Sequence, residues 1–217
     1  MRRQTGFSLL EVLLALSLGL LLLLGASRLF MAACQSWQAQ AAAARMQEDA
    51  RQALQRLAQS IRMAGMFGCL QQDAIKFDDP LHAEAFAQPL HVTQGADGRL
   101  QRLSLISAEV TQGGGRPDWT LLTDCRTQAR VQAGPQVPGA GQFAVALHRQ
   151  VYRLEGHQLH LRSGSSTGVL VDGVSDLQLE LHKDAVHLSL TLFDPQQRAR
   201  SQAYGMRIAL ENPVASS

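Results

Sequence analysis

Gly6-Phe7-Ser8-Leu9-Leu10-Glu11, followed by the apolar run Val12 to Leu24, decides how this 217-residue chain is built. Eleven of the sixteen residues from Leu9 to Leu24 are leucine, and Glu11 is the only charge between Arg3 and Arg28. A hydrocarbon core needs ~20 mostly apolar helical residues, which Phe7 to about Ala26 supplies. A carboxylate inside such a span costs roughly 2.5 to 3.5 kcal/mol on insertion scales, so Glu11 reads as a functional residue that needs a cation.

The leader Arg2-Arg3-Gln4-Thr5-Gly6 ahead of Phe7-Ser8-Leu9-Leu10-Glu11 resembles the class III leader of type IV pilins and pseudopilins. The resemblance implies that a prepilin peptidase cuts between Gly6 and Phe7 and methylates the new amino terminus, so that Glu11 becomes the fifth mature residue. A freed ammonium on Phe7 of one subunit can then sit beside Glu11 of a neighbour, neutralising both charges and setting the assembly register. Two other anchors compete. Met31-Ala32-Ala33-Cys34 resembles a lipoprotein cleavage box, although Arg28 would separate the apolar core from Cys34 and Glu11 would have no purpose. A plain single-span anchor explains the leucines but not Gly-Phe followed by a glutamate. An ordinary secretory signal has a shorter core, of about 7 to 15 residues.

Beyond the membrane helix and its extension about 150 residues remain, enough for one domain. The formal charge of +2 falls to zero when Arg2 and Arg3 leave with the leader, which argues against nucleic acid as an electrostatically gathered partner. Lys76 and Lys183 are the only lysines; the other basic residues are arginines, and the sequence gathers them into no stripe. Of the three cysteines, Cys34 follows the apolar run, whereas Cys69 and Cys125 belong to the domain and are expected to pair in an exported chain.

From Leu24 to Met63 the chain has no proline and is rich in helix formers. Met46, Ala50, Ala53, Leu54, Leu57 and Ile61 recur at spacings of three and four, which predicts one apolar face packed on the protein's own sheet. Unbroken, the helix from Phe7 to Met63 would reach ~85 Å. Gly19 and Gly25 could bend it or admit a close neighbouring helix. Gly65 and Gly68 read as stop signals. The run Arg62-Met63-Ala64-Gly65-Met66-Phe67-Gly68-Cys69 resembles the segment that follows the long helix in the PilW group of minor pilins.

The segment Leu70 to Gln94, with Asp78-Asp79-Pro80 and Pro89, reads as loop with at most a short helical turn. Strands are predicted from Arg99 to Ile106 and from Thr120 to Cys125, with loops at Gly113 to Asp118 and Gly134 to Gly141. The last third reads as a β-meander: Phe143, Val145 and Leu147; Val151 to Leu154 turning through Glu155-Gly156-His157 into Gln158 to Arg162; Val169 to Leu181; a turn at Lys183-Asp184; Val186 to Leu192; and Tyr204 to Leu210. Gly164 to Gly168 reads as a turn. One face of the sheet is expected on the helix and the other in water. This half also resembles, loosely, the C-terminal half of PilW proteins and of the J-type pseudopilins of type II secretion.

No zinc-ligand spacing, calcium loop, nucleophile elbow or phosphate-cradling glycine loop occurs. His157 with His160, and His182 with His187, are better surface histidines than catalytic ones. Together these features predict an α+β protein of pilin type and not an enzyme. Its divisions are a leader at 1–6, a membrane-spanning helix at 7–27, an amphipathic continuation at 28–64 and a β-rich domain at 65–217. The resemblance implies an inner-membrane protein with its domain in the periplasm. It implies as partners the prepilin peptidase, other minor pilins, the major pilin, a tip adhesin and inner-membrane lipid; no cofactor is expected and no nucleic acid is required. A J-type pseudopilin of type II secretion is the alternative within assembly proteins.

Overall fold

The computed structural model describes residues 8–109, 115–182 and 184–210. The chain runs α1 (Leu9–Met63), a 3-10 turn (Gln72–Ala74), β1 (Ile75–Phe77), α2 (Pro80–Ala87), β2 (Leu90–Gln94), β3 (Leu100–Ala108), β4 (Trp119–Thr123) and β5 (Ala129–Ala133). It continues through β6 (Phe143–Glu155), β7 (Gln158–Ser163), β8 (Ser166–Val171), β9 (Val174–Leu181), β10 (Ala185–Leu192) and β11 (Gln202–Ala209). It is an α+β protein, with a long N-terminal helix packed on a mostly antiparallel domain.

Helix α1 is continuous over 55 residues, about 82 Å. Its C-terminal half buries Met46, Ala50, Ala53, Leu54, Leu57 and Ile61, the predicted face. Small residues at 50 and 53 let the helix approach closely, and Leu57 fills the space beside them. The helix ends where Ala64 turns extended and Gly65 takes a positive φ of 79°.

Two sheets, rather than one meander, receive that face. Eight strands form the larger: β1-β5-β4-β6-β3-β2 in spatial order, with β7 added to β6 and β8 to β7. The smaller has the order β11-β10-β9. Leu103 and Tyr152 from the larger sheet meet Leu177, Leu179, Leu188, Leu190 and Ile208 from the smaller around α1. Val174 starts β9 just after the Asp172-Gly173 corner, where the chain leaves one sheet for the other.

The opposite face of the larger sheet is only partly wet. Phe67, Ile75, Phe86, Trp119, Leu121 and Leu147 form a second core there. Helix α2 supplies its lid, with Phe86 fully buried against Phe67, Phe77 and Trp119 at ring-centroid distances of 4.8, 5.2 and 5.3 Å. Thus 70–94, expected to be loop with at most a short helical turn, holds the 3-10 turn, β1, α2 and β2. Asp79 caps α2 by accepting from the Leu81 amide at 2.9 Å, and Pro80 takes the first helical position, where its missing N–H costs nothing. β1 pairs parallel with β5. β6 is one 13-residue strand where two segments were expected, and the hairpin at Gly156 is as predicted. The Gly164 to Gly168 segment is a turn only at its start, since β8 begins at Ser166. Gly113 and Gly114 of the Gly113 to Asp118 loop, and Lys183 of the Lys183-Asp184 turn, lie outside the described residues.

Candidate assembly surface on the N-terminal helix

Glu11 lies in the first turn of α1, where the amides of Glu11 and Val12 both donate to the Ser8 carbonyl, at 3.0 and 3.2 Å. A carboxylate at a helix start is favoured by the unpaired amides there. Around it the surface is hydrocarbon: Leu9, Leu10, Leu22 and their neighbours along the helix are exposed, Leu9 to 78%. This stretch packs against nothing in its own domain. The first buried residue is Ala42, about fifty ångströms along the helix from Leu9.

On one side Glu11, Val12, Ala15, Leu16, Gly19 and Leu23 line a shallow apolar groove. Ala15 and Gly19 stand one and two turns beyond Glu11, and a Cβ on Gly19 or on Gly25 would meet nothing within 4 Å. The helix is unbroken at Gly19, which leaves room along the same side as the carboxylate. Small residues at such spacing are how membrane helices come into close contact. Gly6 and Phe7, the predicted cleavage and methylation pair, lie outside the described residues.

At its far end the helix is tied to the domain. Cys69, just past the stop signals, and Cys125, at the end of the β4 loop, form a disulfide with their Cα atoms 5.4 Å apart. Asp124 beside it accepts from the amides of Arg126, Thr127 and Gln128, each at 2.9 Å. Those three donors hold its carboxyl well below the usual carboxylate range, Gln128 contributing most. Cys34 is a half-buried free thiol on α1.

The four singled-out histidines do not converge on one site. His157 packs edge-on against Phe193, and His182 against His187, at ring-centroid distances of 4.8 and 4.7 Å. Among the described residues no group of three or more His, Cys, Asp or Glu side chains is placed to hold a metal ion. Two polar features escaped the sequence. His148, almost fully buried, has Nε2 3.2 Å from Glu109 Oε2. Beside it Ser60 of α1 joins Gln150 and Tyr152 of β6. A polar run His148-Arg149-Gln150 inside a strand was the available signal, since alternate residues of it had to face the helix.

The Prokaryotic N-terminal methylation motif matches residues 1–27. No curated protein and no solved structure matches the chain. The motif covers the leader, Glu11 and the first, exposed third of α1, and it implies processing by a prepilin peptidase and assembly with pilins. A prepilin-type motif, a helix long and apolar enough to cross a membrane, and the packing of that helix on a β-rich domain make this chain type IV pilin- or pseudopilin-like.

Proposed function

We propose that the chain is a minor pilin of PilW type that primes or caps a type IV pilus through helix-bundle packing with other minor pilins and the major pilin. The observation that carries this is the division of one helix. One face of its C-terminal part, from Ala42 to Ile61, is buried in its own domain, whereas from Leu9 to Ala26 it exposes a surface of hydrocarbon whose single charge is Glu11. A bilayer satisfies the hydrocarbon but not the carboxylate. A bundle of like helices satisfies both, once a cut between Gly6 and Phe7 frees an amine to pair with Glu11 of the adjoining subunit.

In this scheme residues 7–27 hold the processed subunit in the inner membrane, 28–64 continue as the amphipathic helix, and the domain faces the periplasm. Leaving lipid for the bundle is close to neutral for leucine, so the Phe7 amine and Glu11 decide register rather than bulk affinity. The mature chain, left near neutral, has no general attraction to nucleic acid. The role is structural and needs no catalytic residue.

The test is Glu11→Ala in the native cell. The variant is expected to insert, to be processed and to accumulate normally, yet to fail in surface piliation. Normal piliation at normal protein level contradicts the register mechanism. Mass spectrometry of the mature wild-type chain should find N-methyl-phenylalanine at Phe7; lipid on Cys34 with the leader retained would overturn the proposal. Loss of exoprotein secretion with intact pili in a deletion strain would place the chain with the J-type pseudopilins instead.

A further inference from the structure

Arginines that the sequence scatters come together on one face of the larger sheet. Arg102 of β3 stands directly opposite Arg153 of β6, and Arg153 stands opposite His160 of β7. Arg162, two residues along β7, stands opposite Val151 of the same face. Arg102, Arg153, His160 and Arg162 line one cavity of about 260 Å³, with Glu155 as its only carboxylate. Arg102 also forms the wall of a second cavity of about 450 Å³, which runs to Arg149 and His91 beneath α2 and has Glu84 as its one lining carboxylate.

Like charges directly across a strand pair destabilise a sheet, and this face keeps such a pair at Arg102 and Arg153. Internal neutralisation is slight. Glu155 sits 3.3 Å from Arg153, Arg149 lies over the Trp119 ring at 5.0 Å, and Arg162 donates to the Gly164 carbonyl. Arg102 has no acidic partner among the described residues. Adjacent strands lie about 4.8 Å apart and like-facing residues about 6.8 Å apart along each strand, so the cations form a two-dimensional ladder instead of one point.

We propose that this face binds an acidic polysaccharide, a sugar chain bearing carboxylate or sulfate groups, laid across β3, β6 and β7. Guanidinium forks match such oxyanions in two-point contacts. Thr93 and Thr167 flank the arginines, opposite Arg102 and Arg162, and Ser104 stands two residues along β3 from Arg102; all three offer hydroxyls to sugar hydroxyls. The two cavities, joined at Arg102, have the size of small-ligand clefts and hold a short run of sugar units. Nucleic acid fits less well. Trp119 and Tyr152 are buried, and among the described residues no Phe, Tyr or Trp lines either cavity, so bases would find only the smaller imidazoles of His91 and His160 to stack on. The low net charge gives no long-range pull on a duplex.

Binding of the full chain, in detergent micelles, to polygalacturonate should be measured by titration calorimetry at low and physiological salt. Wild type is expected to bind, more weakly as salt rises. Arg102→Ala combined with Arg162→Ala should weaken binding roughly tenfold or more. Both side chains are exposed, so folding should survive; Arg102→Lys, which keeps charge without the fork, should fall between. Arg207→Ala, exposed on the smaller sheet, should bind like wild type. No wild-type binding at low salt, equal binding by the double variant, tighter binding of a single-stranded oligonucleotide, or inorganic phosphate binding as tightly as the polymer each overturns the proposal.

Discussion

The Ser60 hydroxyl of α1 and the Tyr152 hydroxyl of β6 lie 2.7 Å apart in the buried helix–sheet interface, 92 residues apart in sequence. The roles are fixed by the next partner. Ser60 donates to Gln150 Oε1 at 2.7 Å, so its one proton is committed and Tyr152 must be the donor to Ser60. Burial pushes the Tyr152 phenol above its ordinary pKa, which keeps that proton in place. The contact therefore fixes the rotation of the helix on the sheet, because leucine packing alone tolerates sliding and a buried hydrogen bond does not.

Ser60→Ala should cost about 1 to 2 kcal/mol, because it strands the buried Tyr152 hydroxyl and the half-buried Gln150 amide, whereas Tyr152→Phe removes a donor and should cost about 1 kcal/mol. Denaturant unfolding followed by tryptophan fluorescence can compare them, since Trp119 is buried. The double variant should be less destabilised than the sum of the two. Strict additivity would show that the pair does not couple helix to sheet.

Cys69 and Cys125 close a loop with a sequence separation of 56. In the chain-entropy account such a link stabilises by about 4 kcal/mol. Cys69→Ser with Cys125→Ser should lower the unfolding midpoint steeply, and a thiol reductant should reproduce that loss in wild type while leaving the double variant unchanged. A reductant effect of equal size in the double variant would assign the loss to something other than this bond.

The helix was legible because its apolar spacing is regular from Met46 to Ile61, and the strands from Leu100 onward because leucines alternate with polar residues. The segment 70–94 was not, although Asp79-Pro80 is a cap signal. α2 has only eight residues, too few for periodicity, and β1 has three in a parallel pairing that no neighbouring turn announces. β6 looked like two strands because His148, Arg149 and Gln150 interrupt its apolar alternation; both of its faces are polar there. The break into two sheets rests on one corner at Gly173. The arginine face could not be seen at all, since it joins residues 60 apart in the chain through strand register alone. Glu11 was legible by contrast alone, as one charge in hydrocarbon.

That corner gives the third prediction. Gly173 has φ of 72°, and a Cβ placed on it would lie 2.6 Å from the Phe193 carbonyl oxygen, while its own carbonyl accepts from the Phe193 amide at 2.8 Å. Gly173→Ala meets both a left-handed backbone and a backbone clash that cannot move without breaking this contact. Gly156 has φ of 60° with open space around it. Gly156→Ala should therefore cost only the backbone penalty, about 1 kcal/mol, and Gly173→Ala clearly more, up to about 3 kcal/mol. Equal unfolding midpoints for the two variants would show that the corner relaxes freely.

Acid should loosen the domain at two loops. Asp194 accepts from Arg198 through its amide at 2.8 Å and its Nε at 3.1 Å, and the Arg198 side chain foremost holds the carboxyl down to about 2. Asp124 is held lower still by its ring of amides. Both are depressed relative to an unfolded aspartate near ~3.9, so each stabilises the fold above that value. That contribution is lost as pH falls from ~4 through the folded value, near 2 for Asp194. Urea unfolding midpoints should accordingly be flat from pH 6 to 5 and fall between pH 4 and 2. Asp194→Asn should start lower at pH 6 and fall less steeply across the acid window, because the titrating group is gone. A variant whose slope equals that of wild type would remove Asp194 from the account and leave the acid sensitivity to Asp124 and the remaining carboxylates.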